Sequence, residues 1–155
     1  MPHPSMGTRV LRYAPLVSWM LFIYLASTSG FSADNTSRIL KPLLLWLSPQ
    51  ISEERIAALH FLIRKAAHFA EYVVLGFLAA RAFIGSSHRV LSENWMTAGT
   101  ILVVAYALLD EFHQSFVSAR TASIFDSLID IAGGLFALIC FAYFIRYRPN
   151  TLPNQ

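Results

Sequence analysis

Four apolar stretches, Val10–Ala26, Ala66–Ile84, Trp95–Leu109 and Ile124–Tyr147, leave this chain few ways to fold. A membrane-spanning helix needs about 20 mostly apolar residues, with a range of roughly 17 to 25. Lipid offers backbone amides no partner, so each stretch must satisfy its own hydrogen bonds as a helix. The pattern predicts an all-α, polytopic membrane protein built as a bundle of four transmembrane helices. Composition agrees: hydrophobic residues make up 55% and charged residues only 14%, against about 25% charged in ordinary soluble domains. Lys and Arg exceed Asp and Glu by too little, for a net charge of +3, to suggest a nucleic-acid-binding face.

The first stretch is the weakest, because Arg12 and Pro15 interrupt its start. With Arg9, a short apolar core and STSGFSA after it, it has features of a secretory signal; a retained span is the preferred reading. Between spans one and two, Arg38–Pro49 is apolar but too short to cross and is split by Pro42, which predicts an interfacial or re-entrant segment. Ser52 followed by Glu53 and Glu54 has the form of a helix start, since a hydroxyl cap and first-turn acids complement the exposed amides. That helix is expected to run on into the second span. Residues 1–148 form a single domain in this reading, with 149–155 a disordered tail. Cys140 cannot form an internal disulfide and is expected in the core or facing lipid. Trp19, Trp46 and Trp95 are expected as interface anchors.

Four alternating spans bring the start of the second helix, the end of the third and the start of the fourth to one side of the membrane. Spacings of three, four and seven share a helix face. Arg64, His68, Glu71, Tyr72 and Leu75 form one stripe, Asp110 and Gln114 a second, and Asp126, Asp130, Gly133 and Ala137 a third. An ionised side chain deep in a bilayer costs on the order of 2.5 to 3.5 kcal/mol on insertion scales, so such a cluster marks a functional candidate by default. Glu71, Asp110, Glu111, Asp126 and Asp130 outnumber Arg64, Lys65 and Arg120. The surplus of acids invites shared protons, a divalent metal or a cationic group. The structural alternative is that the acids cap helices and pair with bases to fix packing. His60 and His113 fit solvated or interfacial roles better. His68-x-x-Glu71 is no specific metal signature, and Ser115 and Ser123 have no context for a catalytic triad.

Two blocks carry a resemblance. RKAAHFAEYVVLGFL (64–78) and LLDEFHQSFVSARTASIFDSLIDIAGG (108–134) resemble the VanZ-like family of small bacterial membrane proteins, named for a teicoplanin-resistance protein. The matching pattern is K-x-x-H-F-x-x-Y-x-x-L-G-F-L, then D-E-x-x-Q-x-F, a loop Arg, D-x-x-x-[N/D] and a glycine. The first span, ending in LAST, is similar to the family's first helix with its terminal Ser, which favours retention. The resemblance marks Lys65, His68, Phe69, Tyr72, Gly76, Asp110, Glu111, Gln114, Phe116, Arg120, Asp126 and Gly133 as family positions. The chain departs from the pattern at Ser118 and Ala119, where many members have Pro-Gly, and at Asp130, where many have Asn.

The expected function is binding of, or action on, a cell-envelope component such as a lipid head group or lipid-linked cell-wall intermediate, with an effect on glycopeptide susceptibility. His68, Glu71, Asp110, Glu111 and Asp126 are the candidate catalytic residues; Arg64, Lys65, Tyr72, Gln114, Arg120 and Asp130 are candidates for holding the ligand. A non-catalytic bundle that binds a partner or lipid, and a small proton-coupled carrier that would need a homodimer to enclose a path, are the alternatives.

Bases tie at six per side, but Arg64, Lys65 and Arg120 face the acids. Discounting them, the positive-inside rule puts both termini in the cytoplasm and the polar cluster towards the outer face of a bacterial inner membrane. Reporter fusions at Gln155 and within 86–93 should both read cytoplasmic; translocated signals at both would invert the orientation.

Overall fold

The computed structural model describes residues 6–28, 33–117 and 123–147, and these are helical almost throughout. The helices are α1 (Met6–Ala26), α2 (Ala33–Leu47), α3 (Glu53–Ile84), the single turn α4 (Arg89–Glu93), α5 (Trp95–Gln114) and α6 (Ile124–Arg146). Among the described residues α3, α5 and α6 are long and apolar enough to cross a membrane, whereas Val10–Ala26 of α1 is a shorter apolar stretch. The tail beyond Arg148 and the loop carrying Ser118, Ala119 and Arg120 lie outside the described residues.

The Ser52 start is as expected: its side chain accepts from the Arg55 amide, and α3 runs unbroken for 32 residues. At 1.5 Å per residue that is about 48 Å, well beyond the roughly 30 Å of a hydrocarbon core, so the apolar span occupies only part of the helix. One expectation fails locally. Pro42 does not split its segment, for α2 continues through it. Proline removes one intrahelical bond and crowds the preceding turn, but it lies on the exposed side of α2 and the helix runs on. The Lys41–Glu53 ion pair, 2.6 Å, ties α2 to the start of α3.

Helix α3 is the spine, contacting every other helix and packing most extensively on α6. Lys65 meets Asp126 and Phe77 meets Phe141, so α3 and α6 run parallel. Helix α1 runs the other way along α3: the Tyr13 hydroxyl donates to Ser86, and Trp19 Nε1 donates to the Glu71 carbonyl, both at 2.8 Å. The Tyr106 hydroxyl donates to the Met20 carbonyl at 2.5 Å and joins α1 to α5. Trp19 is thus a strut between helices, and Trp95 packs edge-on to Phe141. Only Trp46 is well exposed. Indole is large enough to fill gaps between helices while its single donor finds a carbonyl.

Small residues permit the closest approaches. A Cβ on Gly133 would run into the Phe69 carbonyl oxygen, one on Gly76 into that of Gly134, and one on Gly134 into Val103 of α5. Ala79, Ala80, Ala107 and Ala137 extend the buried seam. Interhelical attraction in lipid comes from this kind of packing, because the tails are as apolar as the side chains. The outer faces are apolar too: Leu21, Phe77, Ile101, Leu109, Phe136, Ile139 and Phe144 are exposed, as is Cys140.

Gly133→Leu should therefore destabilise the protein in detergent by about 3 kcal/mol or more, since the obstacle is backbone and cannot rotate away. Gly85→Ala is the control: its Cβ would meet nothing closer than 3.4 Å, and at negative φ alanine should cost less than about 1 kcal/mol. Equal melting of the Leu variant and wild type would refute the close-packing account.

Candidate functional site

Three helix ends meet against the middle of α3. The C-terminal turn of α5 supplies Asp110, Glu111 and Gln114, the first two turns of α6 supply Asp126 and Asp130, and α1 ends at Ser27. The helical register of α3 turns His68 and Tyr72 inward and leaves Arg64, Lys65 and Glu71 half-buried at the edge. These are the stripes expected from spacing. Their convergence depends on α3 and α6 being parallel and in register.

The contacts form two linked sets. In the first, Lys65 Nζ is paired with Asp126 and also stands 5.0 Å from the Phe61 ring centre, while Glu111 Oε2 accepts from the backbone amide of Ser123 at 2.7 Å. The Ser123 side chain makes no cap, so a carboxylate from α5 caps α6 in its place, a favourable position for negative charge at a helix N-terminus. In the second set Asp110 accepts from two sides: the Ser27 hydroxyl at 2.5 Å to Oδ1 and the Gln114 amide at 3.0 Å to Oδ2. His68 Nδ1 lies 3.3 Å from Asp130 Oδ1, yet the contact lacks hydrogen-bond alignment, and neither oxygen of Asp130 has a hydrogen-bond partner in the described structure.

Other buried polar atoms nearby are also left over: the Tyr72 hydroxyl, Ser127 Oγ and Glu111 Oε1. Native interiors pair nearly all such groups, so each one asks for a partner. Two openings flank His68. One, about 180 Å³, is lined by Phe22, Ser27, Arg64, His68 and Glu71. The other, about 390 Å³, is lined by Phe61, Arg64, Lys65, His68, Ser123 and Asp126. Arg64 and His68 border both. A guanidinium beside an imidazole at the mouth of an acidic interior can hold an anionic oxygen while protons are exchanged behind it.

Of the eleven candidate site residues, Arg64, Lys65, His68, Glu71, Tyr72, Asp110, Glu111, Gln114, Asp126 and Asp130 fall in or beside this assembly, and Arg120 lies outside the described residues. Sequence reasoning left three residues out of the site. Ser27 was visible as the polar end of the first apolar stretch, but its aim at Asp110 was not. Ser127, one residue after Asp126 on the inward side of α6, carried no distinguishing signal. Ser123 takes part through its backbone amide, which no side-chain pattern could announce.

No curated protein and no solved structure matches the chain. A family model described as VanZ/LLP1 matches residues 11–146. That match runs from the first turns of α1 to the last residue of α6 and takes in the whole polar assembly, and the chain belongs to the VanZ/LLP1 family.

Proposed function

We propose that this protein holds the anionic head group of an envelope lipid or lipid-linked cell-wall intermediate beside His68, in the openings bordered by Arg64 and, for the larger, Lys65. The observation that carries the reading is the position of the two openings. Both are bordered by His68 and Arg64, with Glu71 lining one and Asp126 the other, while Asp110, Glu111 and Asp130 line neither. Arg64 suits bidentate capture of phosphate or carboxylate. His68 and Glu71, with Asp110, Glu111 and Asp126, would manage protons; Lys65, Tyr72, Gln114, Asp130 and the loop residue Arg120 would complete the ligand's surroundings.

In this proposal the protein resides in a bacterial inner membrane. Helix α1 serves as a fourth span beside α3, α5 and α6, and α2 lies along the interface. Both termini face the cytoplasm, so the His68 openings meet substrates on the outer side, where a change in envelope chemistry would alter glycopeptide susceptibility.

A second reading, a non-catalytic bundle that binds a partner or lipid, is favoured by the contacts that brace the helices: Lys65 on Asp126, Glu111 at the start of α6, and Ser27 and Gln114 on Asp110. One experiment separates them. A deletion strain should show an altered lipid or cell-wall precursor profile that the wild-type gene restores. Asp110→Asn and His68→Ala should fail to restore it while expressing normally and melting within about 3 °C of wild type, a shift worth no more than about 1 kcal/mol. Loss of restoration together with loss of folding supports the bracing role, and full restoration by both variants would sink the proposed site.

A further inference from the structure

We infer that His68, Asp110 and Asp130 form a binding site for one divalent cation of the zinc or manganese class. The cation would bind the protein on its own, whichever envelope component the protein meets.

The three side chains come from three different helices, α3, α5 and α6, and each offers a ligand atom within 4.8 Å of the others. Adjacent ligands on one ion stand about 3.0 Å apart at octahedral angles and about 3.4 Å at tetrahedral ones, and opposite ligands about 4.2 Å apart. The 3.3 Å between His68 Nδ1 and Asp130 Oδ1 falls within the adjacent range. A separation of up to 4.8 Å closes with a shift of about 0.6 Å for opposite octahedral ligands and about 1.4 Å for tetrahedral ones.

Acids in proximity are not in themselves a site, and the decisive observation is Asp130. It is 0% exposed and, among the described residues, its Oδ2 has neither a hydrogen-bond nor an ion-pair partner, while Oδ1 faces His68 Nδ1 at 3.3 Å. His68, 8% exposed, faces it with a ring nitrogen that is also without a hydrogen-bond partner. With Nδ1 free of its proton, the imidazole and the carboxylate, otherwise an ion pair, present two lone pairs to one point, which is what a shared cation requires. Tyr72, wholly buried with an unpartnered hydroxyl, sits in the field of both Asp110 and Asp130.

Asp110 is built differently, and in a way that suits the same role. Each of its oxygens already accepts one hydrogen bond, from Ser27 or from Gln114, and retains a second lone pair. Outer hydrogen bonds of this kind orient a ligating carboxylate. One nitrogen and two carboxylate donors favour zinc or manganese over calcium or magnesium, which prefer oxygen alone. Three protein ligands leave at least one coordination position open. His68 also lines both openings, as does Arg64.

The test uses the full chain in detergent micelles, stripped with chelator, freed of any affinity tag and titrated with Mn²⁺ alone. Electron paramagnetic resonance should count one saturable Mn²⁺ per chain, with a nitrogen hyperfine coupling that changes on [¹⁵N]histidine labelling, and Zn²⁺ should displace the signal. His68→Gln should abolish the coupling. Asp130→Asn, an isosteric change, should weaken binding at least about tenfold, and Zn²⁺ should raise the melting temperature of wild type but not of this variant. Absence of saturable binding by wild type, binding without histidine coupling, or coupling and affinity unchanged in either variant would overturn the site. Should a variant fail to fold, the labelled wild-type spectrum decides the matter alone.

Discussion

The backbone contact between α3 and α6 is the constraint from which the rest follows. Gly133 lies directly on the Phe69 carbonyl and Gly76 on that of Gly134, so the two helices touch main chain to main chain with no side chain between them. Parallel helices at this distance bring residues on equivalent turns into direct contact. One turn before Phe69, Lys65 reaches Asp126, and beside it His68 reaches Asp130. A larger residue at Gly133 would separate the polar pairs as well as the helices, so the packing seam and the candidate site are one structural feature.

The second consequence is an inverted distribution of polarity. Large apolar side chains cover the outside of α1, α3, α5 and α6, while His68, Asp110, Glu111, Gln114, Asp126 and Asp130 are buried. A water-soluble domain arranged this way would leave its apolar faces unsatisfied. In lipid the arrangement is the natural one, and the remaining cost is that of the buried charges. Part of that cost is offset by specific contacts, Lys65 with Asp126 and Glu111 with the Ser123 amide at the start of α6. Part is not, since among the described residues the hydroxyls of Tyr72 and Ser127 have no hydrogen-bond partner and Asp130 accepts no hydrogen bond beside its 3.3 Å ion pair with His68. Proteins tolerate such groups where a ligand, ion or proton completes them, and here they gather around one histidine.

Helix ends explain why the site sits where it does. Helix α5 ends and α6 begins next to the same turn of α3, and α1 ends there as well, at Ser27. Termini carry unsatisfied amides and carbonyls that attract polar side chains, so chemistry collects at the ends of spans whose middles are sealed by Leu75, Ala79, Val103 and Leu138. The membership of the chain in the VanZ/LLP1 family, across 11–146, covers both the sealed part and the polar end.

Much of this was legible from residue order alone. Runs of apolar residues dictate helices because lipid leaves the backbone no other choice, and Ser52, Glu53 and Glu54 mark where α3 begins through local capping chemistry. Spacings of three and four named the inward faces of α3 and α6, including the glycine that meets its neighbour, because helical periodicity is a local property. The interruption expected at Pro42 did not occur, and α2 runs through it. Nor could spacing reveal that Trp19 would brace α3, that Ser27 would point at Asp110, or that Glu111 would cap α6. Each of those contacts joins residues far apart in the chain, and their geometry is decided by how closely the helices approach and in what register. Sequence determined which side chains had to be hidden from lipid; only the tertiary packing decided which of them would be paired with one another and which would be left open towards His68.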